Sequence, residues 1–458
     1  MENKPNKSND FTVGHPTKKL LLFSLPLIAI MVIQSLYATA DSIVVGQFVG
    51  EDALAAVNSA SNVTQIVMLL LTGVSMGLSV LVSQYYGAKD MDMLRKSIVT
   101  STYVIAILSV VLGILGAAFS KTFLIWIRVP ENIIDDASLY LMIVFLGAPA
   151  TAFSNMATGV ARYVGDGVTP MIVLIITAIL NIGLNVLFVA VFGLEVAVVA
   201  LATVIATIIS AIACIILVLK RLPMVRPTRD SLKPNEVVVK NLMKLGVPSA
   251  LQSSANAIGG LVVQVVINGF GSTVIAAYSS ARQMESLISF PPGGFTGAMQ
   301  IWTGQNVGAG KFDRVKEGYN ATVKVIVIYS LFSIAMLLLF GRQLMSLFTT
   351  GDDFIRIGAE YLACACTGMF SVGMLYLSRS TLAGAGDAMA TVYCTAIEIT
   401  TRVVAAFVLS YYFGYIGVFF AAPIGSTAGA IFATVRYLSG NWKTKGVVQC
   451  GAEPIEES

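Results

Sequence analysis

The chain has 458 residues, 56% of them hydrophobic and only 12% charged, with a net charge of +4. Soluble domains carry about a quarter charged residues, so the composition excludes a soluble enzyme and leaves no basic footprint for nucleic acid. The five cysteines form no CxxC and no disulfide framework, and no short apolar leader with a small-residue cleavage site follows the polar first eighteen residues.

Apolar runs recur at about 20–45, 54–84, 97–119, 136–156, 169–191, 196–219, 246–268, 276–305, 320–341, 358–380, 388–411 and 416–438. Each approaches the length of a bilayer-spanning helix, so the expected fold is an all-α polytopic membrane protein with about twelve transmembrane helices. The first run holds Pro26, which removes a backbone hydrogen bond and should bend the helix. It also holds Asp41, its only charged residue. A carboxylate in a membrane span is costly and is usually enclosed by protein and functional. Gln34, Tyr37 and Asp41 stand at i, i+3 and i+7 on one helix face.

Further along, Asn58, Asn62 and Gln65 form a polar stripe on the second run, Asn181 and Asn185 another on the fifth, and Thr203 lies on the sixth. Around Asp41 this set would supply carboxylate, amide and hydroxyl oxygens, the ligand types that suit a proton or a sodium ion. On the seventh run Gln252 and Asn256 make a weaker polar face. Arg282 and Glu285 open the eighth as an expected interfacial pair, and Pro291–Gly294 should bend it. The eleventh run carries Glu398 and Arg402, spaced i, i+4 to pair on one face.

Lysine and arginine favour the even-numbered loops and both ends: Lys18 and Lys19, Lys89 to Lys96, Arg162, Lys220 to Lys244, Lys311 to Lys316, Arg379, Lys443 and Lys445. By the positive-inside rule both termini are cytoplasmic. An internal repeat is also visible. Gln84 matches Gln305 at an offset of 221 residues (305 − 84), and the same offset carries Gly50 to Gly271 and Gly165-Asp166 to Gly386-Asp387. Pro26 falls one residue from registering with Pro248. The expected organisation is a tail over 1–19, a six-helix bundle over 20–221, a linker over 222–240, a second six-helix bundle over 241–440 and a tail over 441–458. Six spans per half makes the repeat parallel, as in transporters that rock between two access states.

In these motifs the chain resembles the MATE family of multidrug and toxin extrusion transporters, most nearly its DinF-type bacterial members. The resemblance covers nearly the whole chain. It rests on Pro26 followed by Asp41-Ser-x-x-Val-Gly, on Ala-Leu-Ala-Ala-Val from Ala53, on Ser-Gln-x-x-Gly-Ala from Ser83, and on the two Gly-Asp turns. It implies that Asp41 is the ion-coupling acid, that a bend at Pro26 accompanies its protonation, and that Asn181 and Thr203 complete the site, with sodium possible at Asp41, Asn181 and Thr203. Asn185 departs from the family pattern, where many DinF-type members have a second aspartate. Asn256 stands roughly where NorM-type members carry a glutamate. Glu398 and Arg402 resemble a second-half pair of bacterial relatives.

The expected function is a secondary active antiporter of the cell membrane. It would export cationic or amphipathic organic drugs and toxins in exchange for protons or sodium by alternating access. Besides the coupling ion no cofactor is expected. No GxxxxGK[ST] occurs, so neither ATP nor enzymatic chemistry is expected. The expected substrate cavity draws on Gln34, Tyr37, Asn58, Asn62, Gln252, Asn256, Glu398 and Arg402, in a monomer. The rival readings are a lipid-linked-precursor flippase of the same superfamily and a non-transporting receptor or structural protein.

Overall fold

A computed structural model describes residues 10–191 and 196–448, and among them there is no β-strand. In chain order the helices are α1 (Pro16–Phe48), α2 (Glu51–Ala88), α3 (Met91–Ala118), α4 (Ser120–Trp126), α5 (Ile134–Leu146), α6 (Ala148–Tyr163), α7 (Val168–Asn185) and α8 (Val196–Arg221). They continue with α9 (Glu236–Asn268), α10 (Ser272–Ile288), α11 (Phe290–Gly308), α12 (Phe312–Ser346), α13 (Asp352–Cys366), α14 (Met369–Ala385), α15 (Ala388–Phe419) and α16 (Ala421–Leu438). Every apolar run of the sequence lands on one helix or on a consecutive pair. Large apolar side chains on these helices face outwards, such as Ile107, Ile114, Leu331 and Leu339, as a lipid solvent requires.

The described residues divide into two compact units. The first holds Asp10 and Ala29–Ala250; the second holds Phe11–Ile28 and 251–448. Both long proline-bearing helices therefore change unit shortly after their proline. Pro26 lies inside α1 and Pro248 inside α9, and each helix runs on without a break. Proline lacks the N–H of its turn and crowds the carbonyl four residues back, so each helix is weakened where it passes from one unit to the other.

The internal repeat extends to the backbone. At the offset read from the sequence, Gly50 and Gly271 have φ of 120° and 93°, Lys89 and Gly310 of 62° and 70°, and Gly165 and Gly386 of 90° and 91°. Two bends that the sequence reading did not anticipate obey the same offset. α5 and α6 meet at Gly147 with a 47° bend, and α13 and α14 meet at Thr367-Gly368 with a 52° bend. A side chain on Gly147 would meet Val204, and one on Gly368 would meet Pro423, so the small residue lets a neighbouring helix close on the bend. Pro291 does not break its helix from within. It sits in the first turn of α11, and the break precedes it at Ser289, where a missing N–H is unfelt.

In the first unit, Gly73 and Gly77 of α2 face Gly246 and Ala250 of α9. A Cβ on Gly73 would come within 2.6 Å of the Gly246 carbonyl, the close helix approach that small-xxx-small spacing permits. The core gathers Val45, Ala56, Leu141, Phe145 and Val199. The segment after α8 is docked to α3: Arg95 donates to the Met224 carbonyl, Tyr103 to that of Leu232, and Thr100 Oγ1 accepts from the Asn235 N–H, each at 3.1 Å. Asp166 caps α7 by accepting from the N–H groups of Val168 and Thr169.

In the second unit, Phe11 packs on Phe23 and Trp302, and its backbone N–H donates to Gln305. Asp387, the repeat partner of Asp166, makes an ion pair with Arg436 at 2.9 Å. α15 is broken at Gly414 (φ 61°, ψ −144°), a conformation essentially confined to glycine. Tyr278, Tyr361 and Phe419 form the aromatic heart of its core.

Candidate functional site

The first unit assembles a polar chain around Asp41. Asn185 Nδ2 donates to Asp41 Oδ1 at 2.5 Å and to Asn181 Oδ1 at 2.9 Å. Asn181 Nδ2 donates to Thr203 Oγ1 at 3.2 Å, and Thr203 donates to the Val199 carbonyl at 3.1 Å. Both asparagines are fully buried. The i, i+4 spacing on α7 stacks them one turn apart, and α1 and α8 supply the two ends. A π-helical turn, Val186–Val191, begins directly after Asn185, an irregularity that often marks functional positions. Asn185 Oδ1 is buried without a hydrogen-bond partner. Such an orphan acceptor is costly unless something occupies it.

Two hydroxyls complete the surroundings. Tyr37 reaches Thr203, and Tyr140 on α5 reaches Ser61 while lying close enough to Asp41 to feel its charge. Sequence spacing selected Tyr37. Nothing local in the sequence ties Tyr140 or Ser61 to Asp41, since only the packing of α5 and α2 brings them there.

Gln34, Asn58 and Gln65, also selected from the first half, take no part in this chain of bonds. They are exposed, and the side chain of Asn62 lies outside the described residues. In the second half, Gln252 and Asn256 are half-buried on α9, about two turns and one turn before Gly260, which lines a cavity of the second unit.

Glu398 is buried, with 4% of its side chain exposed, and it holds two arginines rather than one. Arg402 Nη2 lies 2.5 Å from one oxygen and Arg379 Nη1 lies 3.2 Å from the other. The assignment of Arg379 to a loop is thereby corrected. It projects from α14 into the helix packing, because a buried carboxylate with two oxygens has room for a second guanidinium. α16 closes over the pair through Gly425 and Gly429. A Cβ on Gly425 would lie 2.7 Å from the Glu398 carbonyl and from Arg402 Cβ.

Beside this triad is a cavity of about 240 Å³, lined entirely by the second unit. Its walls include Tyr278, Arg282, Glu285, Tyr361, Arg402 and Phe419. Arg282 and Glu285 stay within reach of each other's charge, while their close contacts are to other groups. Arg282 lies over the ring of Tyr278 at 5.8 Å, and Glu285 accepts from the Tyr361 hydroxyl at 2.5 Å. Tyr361, on α13, offers a fixed donor that the flexible arginine side chain does not.

Of the five cysteines, Cys214, Cys364, Cys366 and Cys394 are buried and free, while Cys450 lies outside the described residues. Buried among apolar groups, the four act as small packing residues.

Comparison with known proteins agrees with this architecture. A family model described as MatE matches residues 26–187 and 248–427, well over half the chain. The chain is similar to the probable multidrug resistance protein YoeA of Bacillus subtilis (strain 168), at 28% identity over 445 residues covering 94% of this chain and 95% of that protein. It is also similar to the multidrug export protein MepA of Staphylococcus aureus (strain MSSA476), at 24% identity over 418 residues covering 91% and 92%. In fold it matches a crystal structure of a MATE protein in the bent conformation, with a TM-score of 0.90 at 23% identity, covering 97% of this chain and 100% of that one. The chain belongs to the MatE family of multi-pass membrane transporters, and it is not an enzyme.

Proposed function

We propose that this protein is a secondary active exporter of organic drugs and toxins, cationic or amphipathic, driven by inward flow of protons. The observation that carries the reading is the chain of bonds from Asp41 through Asn185 and Asn181 to Thr203. Asp41 is half-buried, stands beyond the Pro26 position of α1, and is gripped by a buried amide. Protonation of Asp41 cancels the charge that Asn185 holds. That releases the distal part of α1 from α7, and the turn weakened by Pro26 absorbs the change of direction. Substrate leaves in this state. Release of the proton on the other side restores the grip and reopens the substrate path inward, which is alternating access.

The thermodynamics bounds what such a cycle can do. One proton exchanged for one monovalent cation moves no net charge, so the pH difference alone drives it, at about 1.4 kcal/mol or tenfold accumulation per pH unit. A neutral substrate adds about 2.3 kcal/mol per 100 mV. Sodium is the second reading. The orphaned Asn185 oxygen and the oxygens of Asp41, Asn181 and Thr203 are ligand types for a hard cation. In this reading the protein works as a monomer in the cell membrane, with both termini cytoplasmic and without ATP.

The test is dye efflux from vesicles under an imposed pH or sodium gradient, comparing the intact protein with Asp41→Asn. Efflux by the intact protein should respond to the gradient of the coupling ion alone, and it should disappear in the variant. Undiminished efflux in Asp41→Asn removes Asp41 from coupling. Movement of radiolabelled lipid-linked sugars without dye efflux would replace this reading with the flippase.

A further inference from the structure

The cavity of the second unit has a charge pattern that the coupling chemistry does not use. Arg282, Arg402 and Glu285 line it, and Glu398 with its second arginine, Arg379, stands behind Arg402, so three guanidiniums share two carboxylates. Glu398 is saturated, with one arginine on each oxygen, and Glu285 is engaged by the Tyr361 hydroxyl. Arg282 lies over the ring of Tyr278 and within reach of the charge of Glu285. The Nε of Arg402 is buried with no hydrogen-bond partner. Among the described residues Glu285 is the one carboxylate that lines the cavity. One positive charge is therefore left uncompensated inside a membrane protein, where an unpaired charge is expensive.

The walls add a second requirement. Tyr278 and Phe419 stack at 6.1 Å, and Tyr361 stands edge-on to each of them at 5.2 Å. Ring faces and edges in this arrangement favour a flat aromatic ligand, and about 240 Å³ is just below the usual range of ligand pockets, which limits the ligand to a small one. Guanidinium forks match a carboxylate in two-point geometry. A cation here would add to the positive excess, and a polyphosphate would overshoot a surplus of one charge.

We propose that the cavity of the second unit binds an aromatic compound through a single carboxylate, held between Arg282 and Arg402. Within the exporter reading this narrows the amphipathic substrates to those bearing one acid group. It rests on that reading only for calling the ligand a substrate; binding is tested without a gradient and with Asp41 unaltered, so either idea can fail alone.

The experiment titrates purified full-length protein in detergent with 7-methoxycoumarin-3-carboxylate and with its neutral carboxamide, read by fluorescence anisotropy. The acid should bind at least about tenfold more tightly than the amide, the scale of a charge-assisted contact. Arg282→Gln should bring the acid down to the affinity of the amide and leave the amide unchanged, and Arg282→Lys should recover part of the difference. No binding of the acid to the wild-type protein, equal affinity for acid and amide, or an equal loss of both in Arg282→Gln overturns the proposal. The wild-type preference alone decides the matter should the variants not fold.

Discussion

Glu398→Gln is expected to be among the most damaging single changes in the second unit. The native carboxylate takes Arg402 on one oxygen and Arg379 on the other, with side-chain exposures of 19% and 15% for the two arginines. An amide presents one acceptor oxygen and turns its N–H donors toward a group that has only donors. Two like charges are then stranded with a single acceptor between them. Removing one partner of a buried pair costs about 3–5 kcal/mol, and the stranding of two arginines places this change at the upper end. Arg379→Gln alone should cost less, because Glu398 keeps Arg402. In the Glu398→Gln background the same Arg379 change should be beneficial, recovering about 1–2 kcal/mol by removing one stranded charge. The assay is the unfolding midpoint of purified protein in detergent for the wild type, both single variants and the double. Wild-type stability in Glu398→Gln, or simple addition of the two single costs in the double, would refute the idea that one acid holds both arginines.

Three further expectations follow from the geometry. Asn185→Leu strips Asp41 of its amide donor, an interaction with a charged group worth about 1.5–3 kcal/mol, and should slow gradient-driven efflux about tenfold or more; unchanged initial rates would show that Asn185 is not part of the coupling chain. Gly425→Ala puts a Cβ 2.7 Å from the Glu398 carbonyl and should cost about 1–3 kcal/mol by overpacking, with weaker coumarin-carboxylate binding as Arg402 is displaced; a variant with wild-type melting and binding contradicts the close approach of α15 and α16. Gly165→Ala and Gly386→Ala, at φ of 90° and 91°, should each cost about 1–2 kcal/mol. Equal losses of melting temperature in the two are the mark of a structural repeat, and a loss confined to one half would count against it.

What could be read without coordinates was whatever rests on period and composition. Twelve apolar runs, the alternation of basic loops and the offset of 221 residues come from the demand that each span satisfy its own backbone in lipid, a demand that acts on the linear chain. Asp41, Asn181, Asn185 and Thr203 were legible for a related reason: polar atoms in an apolar run are conspicuous, and helical spacing tells which of them share a face.

Pairings across helices were not legible, because side chains far apart in sequence meet only through packing. The contact of Arg379 with Glu398 is made by the packing of α14 on α15, and the contact of Glu285 with Tyr361 by that of α10 on α13. Tyr140 joins the surroundings of Asp41 only through the packing of α5 against its neighbours. The passage of α1 and α9 from one unit to the other after Pro26 and Pro248 is likewise a property of the assembled helices. A proline announces a weak turn; which neighbours take up each side of that turn is decided by the shapes that close around it.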